Sequence, residues 1–153
     1  MGVDFYEEAR DSDLKFAVIA ARYENKWLLC RQKNKDTWEL PGGHREEGET
    51  IFAAAKRELW EETGAKEFQL EPVAAYSYEY EGRKDFGGLF FADIWDMDKV
   101  PADFEMEEVR LFDAVPENVS YPTIQPYLME RVEQWLSDGN FRSELDDIME
   151  LML

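Results

Sequence analysis

One stretch of the sequence, from Gly43 to Ala65, limits the folds that are open to this chain. Its central part, Ile51 to Thr63, contains neither glycine nor proline and is rich in residues of high helix propensity. Gly64 follows at the position where many helices end in a left-handed residue. The pattern predicts a helix over 51–63, preceded at 40–43 by a loop whose glycines permit unusual backbone conformations.

Three carboxylates lie near the end of this predicted helix, at Glu58, Glu61 and Glu62. Their spacing puts them on one helical face, where like charges repel one another unless a cation lies among them. Carboxylate oxygens are the ligands that Mg2+ prefers, so this face is predicted to bind a metal ion. The alternative is a solvated acidic helix. Phe52 and Leu59, seven residues apart, are predicted to share the face that packs on the core.

The charged residues and glycines of this stretch resemble the Nudix box, the signature of hydrolases that cleave nucleoside diphosphates linked to another moiety. The matching positions are Gly43, Glu49, Arg57, Glu58, Leu59, Glu61, Glu62 and Gly64. Ala65 is the one departure, because the family has a bulkier aliphatic residue there, and this position packs rather than reacts. So many matching positions make the resemblance far more specific than a short glycine motif.

The resemblance implies the α/β fold class, as an α/β/α sandwich with a mixed β-sheet between the box helix and a C-terminal helix. The residue pattern agrees with this, since it predicts strands at 14–23, 27–32, 38–40, 68–80, 87–95 and 107–113 and a helix at 127–137. At 153 residues the chain is expected to form a single domain over 1–153. Residues 1–13 are expected to be an N-terminal arm or strand, and residues 138–153 a tail helix.

The formal net charge of −18 narrows the range of partners. A field of this sign repels nucleic-acid backbones and anionic membranes, so neither a long nucleic acid nor a membrane is expected as a partner. It also repels a free nucleotide, which calls for a metal counter-charge at the site. Cys30 is the single cysteine, so no internal disulfide forms and a cytoplasmic location is expected. Its apolar surroundings predict a buried small residue rather than a nucleophile.

By the resemblance, Glu58, Glu61 and Glu62 bind the metal and take part in catalysis together with Arg57. The metal is expected to be Mg2+, with Mn2+ as the alternative, and the carbonyl of Gly43 is expected as a further ligand. Arg57 is expected to orient the carboxylates through a bidentate pair rather than to touch substrate. The alternative role for Arg57 is that of a surface salt bridge.

Glu49 is expected to support the site, as an outer ligand or as the partner of Arg57. Glu61 or Glu62 is the first candidate for the general base. Glu107 and Glu108 resemble the acidic position on a later loop that faces the metals in some family members, with plain solvent exposure as the alternative.

Substrate contacts are expected from two further regions. Arg31, at the end of a predicted strand, resembles the arginine that meets substrate phosphates in MutT-type members, with Lys33 and Lys35 to assist. Gln125 stands where those members present an amide to a purine. An aromatic side chain is expected to stack on the base, with Tyr78, Phe86 and Phe90 as candidates.

The leading interpretation is a metal-dependent hydrolase of a nucleoside triphosphate, including oxidised purines, with water attacking phosphorus. The alternative substrates within the same class are ADP-ribose, another nucleotide sugar and a dinucleoside polyphosphate. A ligand-binding regulator that has lost turnover is the alternative from another class, although the full set of carboxylates argues against it. The third interpretation is a structural or interaction role for the acidic surface and the apolar tail. The protein is expected to be a monomer or a homodimer.

Overall fold

In the residues that the computed structural model describes, 2–99 and 106–152, seven strands form one mixed sheet between helices. The strands are β1 (Val3–Tyr6), β2 (Phe16–Tyr23), β3 (Lys26–Gln32), β4 (Gly42–His44), β5 (Ala65–Tyr80), β6 (Arg83–Met97) and β7 (Met106–Phe112). The helices are α1 (Ile51–Thr63), α2 (Gln125–Ser137) and α3 (Glu144–Met152), with a short 3-10 turn at Asp11–Asp13. Met1, residues 100–105 and Leu153 belong to the predicted domain but lie outside the described residues.

The sheet runs in the order β1-β5-β6-β2-β3-β7, and β4 pairs with β2 beside β3. Strands β2 and β6 are parallel, whereas the other pairs are antiparallel. The expected mixed sheet is therefore confirmed, and with helices on its two faces the chain is an α/β/α sandwich. The predicted N-terminal arm forms a strand, because β1 pairs with β5.

Two apolar clusters, one on each face of the sheet, make up the core. The first packs α1 against β2 and β6, and the second packs α2 against β6 and β3. On α1 the buried apolar side chains are Ile51, Ala54, Ala55 and Leu59, which recur at helical spacing. The prediction that Phe52 shares the core face is wrong, since Phe52 is 43% exposed, although its ring makes an edge-to-face contact with Phe90. It lies about 100° around the helix from Ile51.

Helix α1 has the bounds that the sequence predicts, and both ends are capped. The side chain of Thr50 accepts a hydrogen bond from the Ala53 amide at 3.1 Å. The carboxylate of Asp11, from far along the chain, accepts another from the Ile51 amide at 2.9 Å. Gly64 ends the helix in the left-handed conformation, with φ at +78°.

The glycine segment before α1, predicted as a loop, contains the strand β4. Its residues Gly42 and Gly43 pair with Val18 and Ala17 of β2. A methyl group on Gly42 would overlap the carbonyl oxygen of Ala17, so the absence of a side chain allows this close pairing. The pairing fixes the start of the box against the centre of the sheet.

The C-terminal part supplies the second helical layer. Helix α2 begins two residues earlier than the pattern predicts, with Pro126 in its first turn, and buries Leu128 and Val132. Helix α3 forms within the predicted tail, and its apolar residues Ile148 and Met149 are exposed. Among the described residues, no helix has the length and apolar character needed to cross a bilayer.

Candidate active site

Arg57, in the middle of α1, is the centre of a carboxylate network. Its Nε and Nη2 atoms donate to the two oxygens of Glu49 at 2.7 and 3.0 Å. Its Nη1 atom donates to Glu58 at 2.9 Å and to Glu61 at 3.2 Å, and Nη2 also donates to the carbonyl of His44 at 3.0 Å. The hydrogen bonds with Glu49 make the largest contribution to a raised pKa of Arg57. The same hydrogen bonds lower the pKa of Glu49. The bidentate pair expected from the sequence is present.

Glu58 is the most desolvated carboxylate of the network. Burial raises its pKa, although the hydrogen bond and charge of Arg57 oppose the shift. The backbone of Gly43 packs directly on this side chain, and a methyl group at Gly43 would overlap the carboxylate. A half-buried negative charge next to Glu61 therefore has a strong requirement for a cation.

Glu62 is held by the backbone of the glycine strand. Its Oε1 atom accepts a hydrogen bond from the Gly42 amide at 2.7 Å. The glycine strand thus fixes two carboxylates of the helix, Glu62 through a hydrogen bond and Glu58 through close packing.

The carbonyl of Gly43, which the sequence predicts as a metal ligand, points into the sheet instead. The Ile19 amide of β2 donates to the carbonyl of Pro41 at 2.9 Å, in an antiparallel pair. Peptide groups alternate in direction along a strand, so Gly43, two residues after Pro41, directs its N–H and C=O towards Ala17. Gly42 instead directs its backbone groups away from β2, and its amide donates to Glu62 of α1.

The donor set suits a divalent ion, although the carboxylates are not gathered around one point. Among the described residues, no three Asp, Glu, His or Cys side chains stand close enough to hold an ion as they are. Glu58 and Glu61 nevertheless share a single cationic atom, Nη1 of Arg57, and Glu62 lies on the same helix one residue later. Carboxylate oxygens are the hard ligands that Mg2+ and Mn2+ prefer, so the residue types on this face suit such an ion.

The structure does not bring Arg31 to these carboxylates. Cys30 is buried, and its pKa is raised by burial and by the nearby charges of Glu62, Glu39 and Glu58. The guanidinium carbon of Arg31 lies 5.9 Å from the centre of the Trp38 ring, and Trp38 belongs to the apolar cluster on the α2 face, so Arg31 lies on the side of β3 opposite to α1. The predicted site residues therefore fall into two groups on opposite faces of the sheet.

Arg31 is instead paired with one of the two later acidic candidates. Its Nη2 atom donates to Glu108 at 3.3 Å, and Nη2 of Arg110 donates to the same carboxylate at 2.7 Å. Arg110 first and Arg31 second lower the pKa of Glu108, which makes it a weak proton acceptor. The other candidate, Glu107, is exposed on β7.

Gln125 is buried at the start of α2, and its Oε1 atom accepts a hydrogen bond from the Leu40 amide at 2.8 Å. Tyr121, in the preceding turn, is exposed and has a left-handed backbone with φ at +53°. The ring of Tyr78 packs on Phe16 at 5.7 Å between centroids and belongs to the apolar cluster on the α2 face. Tyr78 therefore presents an aromatic ring on the α2 face of the sheet.

The two other aromatic candidates lie elsewhere. Phe90 is buried in the core on the α1 face, and Phe86 packs on Tyr6 at 5.9 Å between ring centroids. Of the three residues predicted to stack on a base, Tyr78 alone lies on the α2 face, where Gln125 begins its helix.

Sequence reasoning missed Asp11, Glu39 and Arg110. Asp11 lies forty positions before Ile51, so no local pattern connects it with the helix that it caps. Glu39 is a buried carboxylate, and its place between the apolar residues Trp38 and Leu40 was a usable signal. Arg110 is recognisable only from the pairing of β7 with β3.

The family model of the NUDIX domain matches residues 13–126. YtkD of Bacillus subtilis (strain 168), named a putative 8-oxo-dGTP diphosphatase, is 31% identical over 118 residues, which cover 77% of this chain and 74% of YtkD. An RNA pyrophosphohydrolase of Psychrobacter sp. (strain PRwf-1) is 36% identical over 58 residues, and these residues cover 38% of this chain and 34% of that protein. The crystal structure of the Bacillus subtilis pyrophosphohydrolase BsRppH has a TM-score of 0.71 and 26% identity, covering 86% of this chain and 90% of that chain.

Proposed function

Because this chain belongs to the Nudix hydrolase family, we propose that it hydrolyses a pyrophosphate linkage in a nucleotide derivative, with nucleoside triphosphates, including oxidised purines, as the leading substrates. The observation that carries the proposal is the network in which Arg57 joins Glu49, Glu58 and Glu61 on the box helix. Carboxylates held this close repel one another, which destabilises the helix. A module that only binds a ligand has no need of so many of them.

Glu58, Glu61 and Glu62 would hold the divalent ion, Mg2+ or Mn2+, with the Gly42 carbonyl as the backbone group on the same side. When bound, such an ion neutralises phosphate oxygens and lowers the pKa of water. Arg57 keeps Glu58 and Glu61 in place from one side through Nη1, while Glu49 fixes the guanidinium.

Water attacks phosphorus in this proposal, and a carboxylate of the box takes its proton. Glu61 and Glu62 are the candidates for this general base. Glu108 is the weaker candidate, because its pKa is lowered and two arginines already bind its carboxylate. Among the residues that the structure describes, Glu107 makes no side-chain hydrogen bond or ion pair that would orient it towards α1, and its place on β7 is exposed.

Base recognition is assigned to Gln125 together with Tyr78 and Tyr121. The Oε1 atom of Gln125 binds the Leu40 amide, which leaves the side-chain NH2 group as the donor for an acceptor on the base. Tyr78 and Tyr121 offer ring faces for stacking. YtkD, named for 8-oxo-dGTP, supports a purine triphosphate as the substrate.

The Gln125→Glu variant separates recognition from structure. It keeps an oxygen for the Leu40 amide but removes the NH2 donor, so the fold is expected to hold while the preference among purine nucleotides changes. A Gln125→Ala variant also leaves a buried N–H without a partner, which costs about 1–3 kcal/mol. If both variants keep the preference of the wild type, Gln125 does not read the base.

Chromatographic analysis of the products formed from a nucleotide panel with Mg2+ tests the proposed function. The panel holds normal and oxidised purine triphosphates, ADP-ribose, a sugar nucleotide and a dinucleoside tetraphosphate. Turnover of the triphosphates is expected to lead. Turnover of ADP-ribose alone, or of the dinucleoside tetraphosphate alone, would change the proposed substrate class but leave the proposed hydrolysis of a pyrophosphate linkage in place.

We place the enzyme in the cytoplasm, acting on small nucleotides.

A further inference from the structure

Asp11 holds the start of the box helix although it lies outside the box. It belongs to the 3-10 turn Asp11–Asp13, between β1 and β2. Its Oδ1 atom accepts a hydrogen bond from the Ile51 amide at 2.9 Å, across forty positions of the chain. The first turn of α1 contains no acidic side chain of its own. Asp11 therefore supplies the negative charge that stabilises the positive end of this helix.

Arg45 connects the same carboxylate to the segment between β4 and α1. Its Nη1 atom donates to Oδ2 of Asp11 at 2.8 Å and to the Asp11 carbonyl at 2.7 Å, and Nη2 donates to the carbonyl of Ser12 at 2.9 Å. The Arg45 amide donates to the carbonyl of Lys15 at 2.8 Å. The Arg45 side chain is only 18% exposed, so salt screens its pair with Asp11 less than it screens a surface pair.

Residues 45–50, which we call the entry loop, lead from β4 into α1. The amide of Glu46 donates to Oε1 of Glu49 at 2.9 Å, and the amide of Glu49 donates to the carbonyl of Glu46 at 3.1 Å. Between them, Gly48 has a left-handed backbone with φ at +85°. The entry loop is thus a tight turn, and its shape sets the position of the Glu49 side chain.

Asp11 closes the entry loop at both ends. Arg45, the first residue of the loop, binds Oδ2, and Ile51, the residue that follows the loop, binds Oδ1. A loop whose two ends are held by one carboxylate has fewer conformations open to it than a loop held at its ends by the chain alone.

Glu49 connects the entry loop to the acidic face of α1. Its two oxygens accept from Nε and Nη2 of Arg57 at 2.7 and 3.0 Å. The remaining nitrogen, Nη1, donates to Glu58 and Glu61. A bidentate pair requires both partners in a fixed geometry. Displacement of the entry loop would therefore release Arg57 from Glu49 and leave Glu58 and Glu61 less well oriented.

We propose that Asp11 is a positioning residue of the metal site and acts on it through the entry loop. The proposal rests on the proposed function, in which the box carboxylates hold the ion, and deepens it by giving the N-terminal segment a part in metal binding. Ligands that are ordered in advance lose less conformational entropy when the ion binds. Asp11 itself does not touch the ion, since its two carboxylate oxygens bind Ile51 and Arg45.

Calorimetric titration with Mn2+ tests the proposal, because it measures the ion site without turnover. Asp11→Ala removes the carboxylate from both ends of the entry loop and is expected to weaken Mn2+ binding by roughly tenfold. Asp11→Asn keeps an oxygen for one donor but loses the charge, so its affinity should fall between those of wild type and Asp11→Ala.

Asp13→Ala is the matched control for charge. It removes a carboxylate from the same turn, where Asp13 pairs with the exposed Arg10 at 3.2 Å. The net charge changes as in Asp11→Ala, whereas the entry loop keeps its contacts. This variant is expected to bind Mn2+ like wild type.

Thr50→Ala separates positioning from helix capping. Thr50 caps the same helix through the Ala53 amide at 3.1 Å. Loss of a cap destabilises a helix, so Thr50→Ala and Asp11→Ala should both lower the melting temperature. Thr50→Ala leaves the contacts of Asp11 in place and should keep the wild-type affinity for Mn2+, measured at a temperature where all variants are folded.

A double-mutant cycle with Glu49→Gln tests the route from Asp11 to the metal site. In the Glu49→Gln background Arg57 has already lost its ion pair with the entry loop. Adding Asp11→Ala should then weaken Mn2+ binding by less than about twofold. An effect of Asp11 that does not pass through Glu49 would give the same roughly tenfold loss in both backgrounds.

The outcomes separate this proposal from the proposed function. Wild-type Mn2+ affinity in Asp11→Ala, equal weakening by Asp13→Ala or Thr50→Ala, or additive losses in the cycle would each overturn the positioning role. Absence of Mn2+ binding by folded wild-type protein also overturns it. If wild type hydrolyses no nucleotide of the panel but Asp11→Ala shows the selective loss of Mn2+ affinity, the positioning role stands and the proposed activity fails.

Discussion

Arg57 and Glu49 form a bidentate ion pair across eight residues of chain, with nitrogen–oxygen distances of 2.7 and 3.0 Å. The pair connects the segment before α1 to the middle of the helix. It leaves Nη1 of Arg57 for Glu58 and Glu61, so one arginine fixes both the entry to the helix and its acidic face.

Arg57→Lys is expected to reduce both stability and turnover. Lysine keeps the positive charge but cannot donate in parallel to Glu49 while it also binds Glu58 and Glu61. We expect a loss of about 1–2 kcal/mol, which lowers the melting temperature by about 2–8 °C, and a loss of activity of about 10–100-fold. Scanning calorimetry and nucleotide turnover measure the two effects.

Arg10→Lys is the control for this substitution, because Arg10 has a single exposed pair with Asp13. It should change neither quantity. Full activity of Arg57→Lys would show that Arg57 is a surface salt bridge only.

The stability contributed by Glu49 is expected to depend on pH. Arg57 holds the pKa of Glu49 below its ordinary value, so the ionised carboxylate stabilises the fold above the ordinary carboxyl range. This stabilisation is lost as the pH falls through the lowered pKa. Glu49→Gln should therefore lower the melting temperature at pH ~7, and the difference from wild type should shrink below pH ~4. A difference that stays constant over this range would contradict the ion pair.

Gly43→Ala is expected to abolish activity through Glu58. The added methyl group would overlap the Glu58 carboxylate, which must then move away from Glu61 and Arg57. Gly2→Ala is the control, since a methyl group at Gly2 meets no atom within 4 Å. Turnover and metal binding measured by calorimetry should both fall in Gly43→Ala, and an unchanged metal affinity would show that Glu58 is not a ligand.

Cys30 is expected to react slowly with thiol reagents in the folded protein. Its side chain is fully buried, and burial together with the charges of Glu62, Glu39 and Glu58 raises its pKa. Less thiolate is therefore present than for an ordinary cysteine at pH ~8. An absorbance assay with a disulfide reagent should show one thiol per chain in denaturant and almost none without it. Rapid reaction of the native protein would contradict the burial.

Features that depend on neighbouring residues were predictable from the sequence. Helix α1 has the expected bounds because helix-forming residues fill it and Gly64 can adopt the left-handed ending. Ala65, predicted to pack, is buried, and so is Cys30. The α/β class follows from the order of strands and helices, whereas the mixed sheet between two helical layers was implied by the resemblance to the family.

Features that depend on distant residues were not predictable in the same way. The strand β4 exists because Gly42 can approach Ala17, and nothing in a glycine pair indicates which strand will accept it. The direction of the Gly43 carbonyl follows from that register, which is why we propose the Gly42 carbonyl as the backbone ligand. Arg31 stays a predicted contact of the substrate phosphates, and its pairing with Glu108 depends on the register of β3 with β7, which neighbouring residues do not indicate.

The most direct test of the account is hydrolysis of the nucleotide panel with Mg2+ by wild-type protein, Glu61→Gln and Glu150→Gln. Glu150 is an exposed carboxylate of α3, paired with Arg142 at 3.9 Å, and serves as the control for loss of one negative charge. We predict turnover of at least one nucleotide by wild type and Glu150→Gln, and a loss of roughly 100-fold or more in Glu61→Gln. Equal turnover by Glu61→Gln, or no turnover by folded wild-type protein, would contradict the assignment of catalysis to the box carboxylates.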